Sequence, residues 1–310
     1  MIHTTFLAKC DNRNIMPKTN SQTGAPEQWL DNRILQTFNL NGFTFDFFVN
    51  WGNNTFTPEI WFKVIYTHEG EYTVQQFIED IAHCCTWQYF YNLYEFSQKI
   101  GSEFYFILFN DNQDWSDNNS FLYKVKLTKN NNNYAIDSFN KLTINDFKQN
   151  IINLSGGPIQ IGSKGLLYGT SRLECYLSHT TSLYPGDADL ILTNTNHEPI
   201  AILEFKKHNL DTNMENENIH NYYPSRDKRK YDRLAIMQNY FADIGFDIPL
   251  LILYYPTKTK HTQWKLEQIQ YQNDNFTIVG NELFPLPRIN NEDDYKNIVN
   301  TILDKIQEWS

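Results

Sequence analysis

The stretch that decides the fold is Tyr184–His208, which reads YPGDADLILTNTNHEPIAILEFKKH. Two apolar runs, DLILT and AILEF, are separated by a short polar segment with turn-forming residues. This pattern predicts two β-strands joined by a turn. A strand buried in a core is expected to carry few charges, yet these two runs and the residues next to them hold four. The charged residues are Asp187, Asp189, Glu204 and Lys206.

The alternation of side chains along a strand places these charges on one face of the predicted hairpin. Residues two apart share a face, so Asp189 lies with Ile191, and Glu204 lies on the corresponding face of the second strand. A connection that ends at Pro199 pairs Thr193 with Ile200, and counting on from that pair sets Asp189 opposite Glu204. A slip of one residue would turn the charged face into the apolar core, so the parity of the pairing is well determined.

Two carboxylates in this arrangement repel each other. Directly opposed residues of an antiparallel pair have Cβ atoms about 4.5 to 5.5 Å apart. Charges about 4 Å apart repel by roughly 4 kcal/mol at an effective dielectric constant near 20. One acid can take up a proton, a lysine can lie between the acids, or a divalent cation can bind both. Lys206 lies two residues beyond Glu204, so the second and third possibilities can operate together.

Oxygen ligands grouped at the edge of a sheet suit a hard cation such as Mg²⁺ or Mn²⁺. Such a cation lowers the pKa of bound water and neutralises charge that develops on a phosphate during hydrolysis. An ammonium group beside it can stabilise the same developing charge. The residue types and their spacing therefore favour a metal-dependent nuclease.

The two segments PGDADLIL (185–192) and EFK (204–206) resemble the PD-(D/E)xK nuclease superfamily, which has the restriction-endonuclease-like fold. The resemblance covers about residues 165–256 and implies a mixed-sheet αβββαβ core within an α/β (α+β) protein. It also implies that Asp189, Glu204 and Lys206 form the catalytic set. Asp189 and Glu204 would bind Mg²⁺ or Mn²⁺, and Lys206 would activate water or stabilise the phosphate.

Two further acids stay open as alternatives. Asp187 could replace Asp189 as a ligand, bind a second metal or pair with Lys206. The superfamily often adds a glutamate from the preceding helix, which assigns Glu174 as a third metal ligand. Ser171 and Glu174 also have the spacing of a capping box, in which the glutamate only returns to the backbone at the start of its helix.

A helix predicted from about residue 226 to 244 carries four basic residues on one face, at spacings typical of a helical stripe. These residues are Arg226, Arg229, Lys230 and Arg233. They predict a phosphate-contacting surface for nucleic acid. The alternative is an ordinary solvated helix face.

Composition limits what can be expected of the binding partners, the disulfides and the cellular location of the protein. The chain has 310 residues, 26 basic and 36 acidic, with a net charge of −10, which argues against bulk binding of polyanions. Four cysteines without framework spacing make a disulfide scaffold unexpected. No leader pattern or apolar run of about 18 residues is visible, so we expect a cytoplasmic protein without a membrane segment. No internal repeat is visible in the sequence.

Gly156 and Gly157 mark a linker, which predicts an α+β recognition or regulatory domain over 1–155 and a nuclease-like domain over 156–310. The sequence thus favours a Mg²⁺-dependent endonuclease that acts on DNA more readily than on RNA, in a bacterial or phage defence or restriction setting. A homodimer is expected because cutting of both strands usually pairs two sites. The alternatives are an RNA-directed nuclease, an inactive nuclease-fold binding or regulatory protein, and a structural ion pair between Asp187 and Lys206.

Overall fold

The structure is a computed structural model, and it describes most of the chain. The described residues are 2–3, 7–13, 24–68, 70–84, 86–116, 119–130, 133–160 and 165–309. They form a mixed α/β protein with both parallel and antiparallel strand pairs.

The described strands alternate with helices along the chain. The strands are β1 (Ile2–His3), β2 (Ala8–Lys9), β3 (Leu40–Asn50), β4 (Thr55–Tyr66), β5 (Glu103–Phe109), β6 (Phe121–Asn130), β7 (Asn133–Thr143), β8 (Tyr168–Gly169), β9 (Gly186–Asn194), β10 (Pro199–His208), β11 (Leu250–Pro256), β12 (Gln263–Gln272) and β13 (Asn275–Pro285). The α-helices are α1 (Pro26–Trp29), α2 (Asn32–Gln36), α3 (Val74–Cys84), α4 (Trp87–Lys99), α5 (Ile144–Leu154), α6 (Arg172–Leu177), α7 (Lys228–Asp243) and α8 (Glu292–Glu308).

The chain divides into two compact units, and each unit draws on two separate segments. Unit one comprises Met1–Pro17 and Phe45–Asp187, and unit two comprises Lys18–Thr44 and Ala188–Ser310. The predicted boundary at residues 155 and 156 coincides with neither division.

Unit two contains the predicted hairpin and the helix that follows it. Strand β9 pairs antiparallel with β10, and β10 pairs parallel with β11 through the crossover helix α7. Strands β12 and β13 continue the sheet antiparallel. A crossover connection is required because parallel neighbours cannot be joined by a tight turn.

One face of the unit-two sheet packs into a hydrophobic core. Leu190 and Leu203 lie on it together with apolar residues of β11 and β12 and the apolar side of α8. Helices α1 and α2 add Trp29 and Leu35, both with no exposed surface. The acids on the alternate positions of β9 and β10 therefore face the opposite side, as the alternation of side chains predicts.

Unit one has its own core. Strands β3 and β4 pair antiparallel, and β4 pairs parallel with β5. Strands β6 and β7 follow antiparallel. Trp61 and Phe147 are fully buried in this core, and α6 adds Leu173 and Leu177. A disulfide between Cys10 and Cys175 joins residues that are 165 positions apart, contrary to the expectation from cysteine spacing.

The two units repeat one topology that the sequence does not reveal. In both, an antiparallel strand pair leads through a crossover helical segment to a parallel third strand, two antiparallel strands follow, and a helix ends the series. Strands β3–β7 with α3, α4 and α5 match strands β9–β13 with α7 and α8. The helices that precede each series are exchanged, because α1 and α2 belong to unit two and α6 belongs to unit one.

The expected αβββαβ order is only partly present. Between α6 and α7 the chain contains two strands, β9 and β10, where three were expected. The mixed α/β class is confirmed. None of the described helices combines the length and apolar character needed to cross a bilayer.

Candidate functional site

The β9–β10 hairpin has the predicted register over its central part. Ile191 pairs with Ile202, and Leu190 pairs with Leu203. Near the turn the prediction was wrong, because Thr193 pairs with Pro199 and a bulge follows before Ala201. The bulge absorbs one residue, and the pairs beyond it regain the predicted parity.

Asp189 continues the hairpin beyond its last paired residues. Its Oδ2 accepts a hydrogen bond of 2.7 Å from the backbone N–H of Phe205. Counting one step beyond the pair of Leu190 and Leu203 brings Asp189 to the level of Glu204. This hydrogen bond to the backbone of β10 holds the Asp189 carboxylate beside that strand.

Glu204 is the most buried charged group of the site. Its side chain has no exposed surface. Burial, and then the negative charge of Asp189, raise the pKa of Glu204 to about 8, against the opposing effect of Lys230 and Lys206. A hydrogen bond between the carboxyl groups of Glu204 and Asp189 raises this pKa further.

Lys230, on helix α7, bridges the two acids. Its Nζ lies 2.7 Å from Glu204 Oε1 and 3.6 Å from Asp189 Oδ1. The repulsion expected from the sequence is thus offset by a lysine and by the raised pKa of Glu204 together. This lysine was predicted to contact phosphate, but here it contacts the acid pair, because a buried carboxylate strongly attracts the nearest available cation.

Lys206 lies next to the same acids and is restrained from three sides. Its Nζ lies 3.5 Å from Glu204 Oε1 and donates a hydrogen bond of 2.6 Å to Asp227 Oδ2. The ammonium also lies 4.8 Å from the centre of the Tyr222 ring and 5.3 Å from that of Tyr231. These contacts fix its charge within reach of Glu204.

The segment 209–227 between β10 and α7 is anchored by a second buried network, which sequence reasoning missed. Glu217 contacts His208 Nδ1 at 2.6 Å and accepts a 2.8 Å hydrogen bond from the hydroxyl of Tyr222. Glu267 of β12, with no exposed surface, accepts hydrogen bonds from the backbone N–H of Ile219 and the hydroxyl of Tyr254. The network holds Tyr222 and the rest of the segment in place beside Lys206.

Glu174 lies in unit one, where other groups engage its carboxylate. Lys63 donates to it, and so do the backbone N–H and hydroxyl of Thr170. Ser171 caps the helix by accepting from the Glu174 N–H, so half of the predicted capping box is present. Asp187 also falls in unit one, and its charge acts on Asp46 and Lys63. The assignment of Glu174 as a metal ligand with Asp189 and Glu204 stays a prediction.

The predicted basic stripe is divided by the start of the helix. Arg226 precedes α7 and is exposed, whereas Arg229 and Arg233 are half-buried on the helix itself. Lys230 turns to the acid pair as described above. Contact of the three arginines with nucleic acid stays a prediction.

Glu27 of helix α1 is an acid of unit two that sequence reasoning missed. Surrounding protein crowds its carboxylate although its surface is exposed, and this desolvation raises its pKa. The negative charge of Asp189 raises that pKa further. The signal in the sequence was weak, because Glu27 lies more than a hundred residues before the hairpin.

The donor atoms of the site suit a hard cation, although Lys230 now holds the central position. The buried hydroxyl of Tyr231 lacks a hydrogen-bond partner among the described residues, whereas Glu204 Oε1 is paired with Lys230. A buried polar atom of this kind can be satisfied by an ordered water as well as by a ligand or an ion. Among the residues that the structure describes, no three His, Cys, Asp or Glu side chains already form a group that could hold a metal ion.

Comparison of the chain with family models, with curated proteins and with solved structures finds no match. The resemblance to the nuclease superfamily therefore depends on the residues of the hairpin alone.

Proposed function

We propose that the protein is a divalent-metal-dependent nuclease that hydrolyses phosphodiester bonds of DNA, with its site on the β9–β10 hairpin. One observation carries the proposal: Asp189 and Glu204 are close enough to share a single ammonium, at 3.6 and 2.7 Å. Two carboxylates that share one cation can also share a divalent one. The resemblance of the hairpin to PD-(D/E)xK nucleases supports the same reading.

Asp189 and Glu204 would hold Mg²⁺ or Mn²⁺, and the metal would supply Lewis-acid stabilisation of the phosphate and acidify water. Lys206 contributes a fixed positive charge near Glu204, where negative charge develops on the phosphate. Asp227 and Tyr222 position Lys206 through a hydrogen bond and a ring contact. The exposed Arg226, with Arg229 and Arg233 of helix α7, would meet the phosphate backbone on either side of the cut.

Incubation with supercoiled plasmid, linear duplex, single strands and RNA, each with Mg²⁺ or Mn²⁺, tests the proposal. Glu204→Ala and Lys206→Ala should reduce DNA cleavage by about 100-fold or more, the usual loss when a group that stabilises transition-state charge is removed. Lys228→Ala is the matched control, because Lys228 is exposed and pairs with Asp232 of the same helix. Equal cleavage by all four proteins would remove this site from the reaction.

A second candidate function is favoured by the position of Lys230. Because this lysine already neutralises the acid pair, the protein could bind nucleic acid without cutting it. Metal titration distinguishes the two, since a ligand that binds the folded state raises the unfolding temperature. An unfolding temperature that rises with Mn²⁺ in wild type and not in Glu204→Ala supports the nuclease; no rise in either supports the binding protein.

A further inference from the structure

The repeated topology extends to individual residues. In unit one, Asp46 of β3 pairs with Trp61 of β4. One step beyond the last pair of the β9–β10 ladder, Asp189 reaches the level of Glu204. Asp46 thus has the position of Asp189, and Trp61 has the position of Glu204.

Two lysines of each unit also match. Lys63 lies two residues after Trp61, as Lys206 lies two residues after Glu204. Lys63 pairs with Ile107 of β5, and Ile107 pairs in turn with Lys124 of β6. In unit two, Lys206 pairs with Tyr254 of β11, and Tyr254 pairs in turn with Lys265 of β12. An aspartate and two lysines therefore occupy equal positions, which unrelated sheets of the same topology would not require.

The position of the second acid is where the two units differ. Trp61 has no exposed surface, and its ring lies 4.5 Å from that of Phe48 and 5.2 Å from that of Phe147. Its indole N–H donates to Glu59, which also pairs with Lys124. An aromatic core thus fills the position that in unit two holds a buried carboxylate next to Lys230 and Lys206.

The charged groups of the Lys63 cluster in unit one are paired with one another. Lys63 contacts Glu174 and lies 3.8 Å from Asp46, and the hydroxyl of Tyr184 donates to Asp46 at 3.1 Å. The side chains of Lys63 and Asp46 are only 11% and 9% exposed, which leaves little access for a substrate. The cluster is a closed set of ion pairs and hydrogen bonds.

From these observations we infer that the chain is an internal duplication in which unit two alone keeps a hydrolytic site. The inference rests on the proposed function and deepens it. A single chain then cuts one strand of a duplex in one binding event, and nicked DNA is its first product. Unit one is a structural or substrate-holding copy whose charged cluster takes no part in the chemistry.

A cleavage time course on supercoiled plasmid, with protein limiting and Mg²⁺ or Mn²⁺ present, tests this inference. Nicked circles should accumulate first, and linear molecules should appear later from a second, independent cut. Added Lys206→Met protein should leave the nicking rate per wild-type chain unchanged, provided that plasmid stays in molar excess over both proteins. Linear product that forms at the initial rate, without a nicked precursor, would contradict one site per chain.

Matched substitutions in the two units complete the test. Lys206→Arg should lower nicking at least 100-fold, because a planar guanidinium does not replace a compact ammonium. Lys63→Arg keeps the charge of its cluster and should retain nicking within about threefold. Loss of nicking in a folded Lys63→Arg protein, checked by circular dichroism, would overturn the inference. Absence of any cleavage by wild type on every substrate would instead reject the proposed function, and the inference with it.

Discussion

Single residues of the site show how much of its electrostatics the sequence contains. The spacing of Asp189, Glu204 and Lys206 predicted two facing acids with a lysine beside them, and the structure brings these three groups together. The bridging role of Lys230 was not predictable, because it depends on how α7 packs over the sheet. The spacing of residues along a helix predicts which of them share a face, but it does not predict what that face will contact.

Asp46 provides a pH-dependent prediction. Burial is the main cause that raises its pKa from 3.8 to about 7, against the opposing charge of Lys63. Between these two pH values the folded protein holds a proton that the unfolded chain has released, so stability falls as pH rises through this window. The loss can reach about 4 kcal/mol, since one pKa unit corresponds to about 1.4 kcal/mol.

Urea unfolding of wild type and Asp46→Asn from pH 4 to pH 8 measures this effect. The difference in unfolding free energy between the two proteins should shift in favour of the asparagine variant as pH rises. A difference that stays constant across the range would show that Asp46 titrates normally in the folded state.

At the scale of elements, local patterns were most informative. Alternation predicted the hairpin, its faces and most of its register, and the basic helix was placed within two residues of α7. The bulge before Ala201 was missed, because Pro199 and the turn chemistry shift the pairing in a way that alternation does not encode. The third strand expected between α6 and α7 was implied only by the family pattern and is absent from residues 178–227.

The segment 209–227 gives a prediction at this scale. Glu217 is buried and satisfies His208 and Tyr222, so its removal leaves two partners without their hydrogen bonds, at about 1 to 3 kcal/mol for each unsatisfied group. Glu217→Ala should therefore open the segment locally and increase its cleavage by proteases.

Glu215→Ala is the matched control, because Glu215 is exposed two positions away. Limited proteolysis followed by mass spectrometry should locate faster cuts within 209–227 in Glu217→Ala alone. Equal digestion of both variants would show that Glu217 does not anchor the segment.

For the whole molecule, the exchanged helices explain why the two compact units differ from the domains that the sequence predicted. Gly156 and Gly157 look like a linker in sequence, yet α6 beyond them packs Leu173 and Leu177 into unit one. No local sequence pattern indicates that α1 and α2, which come early in the chain, belong to unit two. The repeat was invisible for a related reason, since the positions that match are few and Trp61 replaces the most informative acid.

This arrangement predicts that residues 188–310 do not fold by themselves. They lack Trp29 and Leu35, which are fully buried in the unit-two core. A fragment of 188–310 should show a weak near-ultraviolet circular dichroism signal, and fusing residues 24–44 to it should restore that signal.

A fusion that carries Trp29→Ala and Leu35→Ala is the control and should stay loosely packed, because each large-to-small change costs about 2 to 5 kcal/mol. A native-like spectrum from 188–310 alone would show that α1 and α2 are dispensable for unit two.

The same exchange has a consequence for synthesis on the ribosome. Residues 24–44 emerge well before strand β9, and their packing partners are made only after about 140 further residues. At a translation rate of about 5 to 20 residues per second, the residues that cover the apolar side of α1 and α2 are synthesised on the order of ten seconds later. During that interval the apolar side of these two helices is exposed and can bind a chaperone.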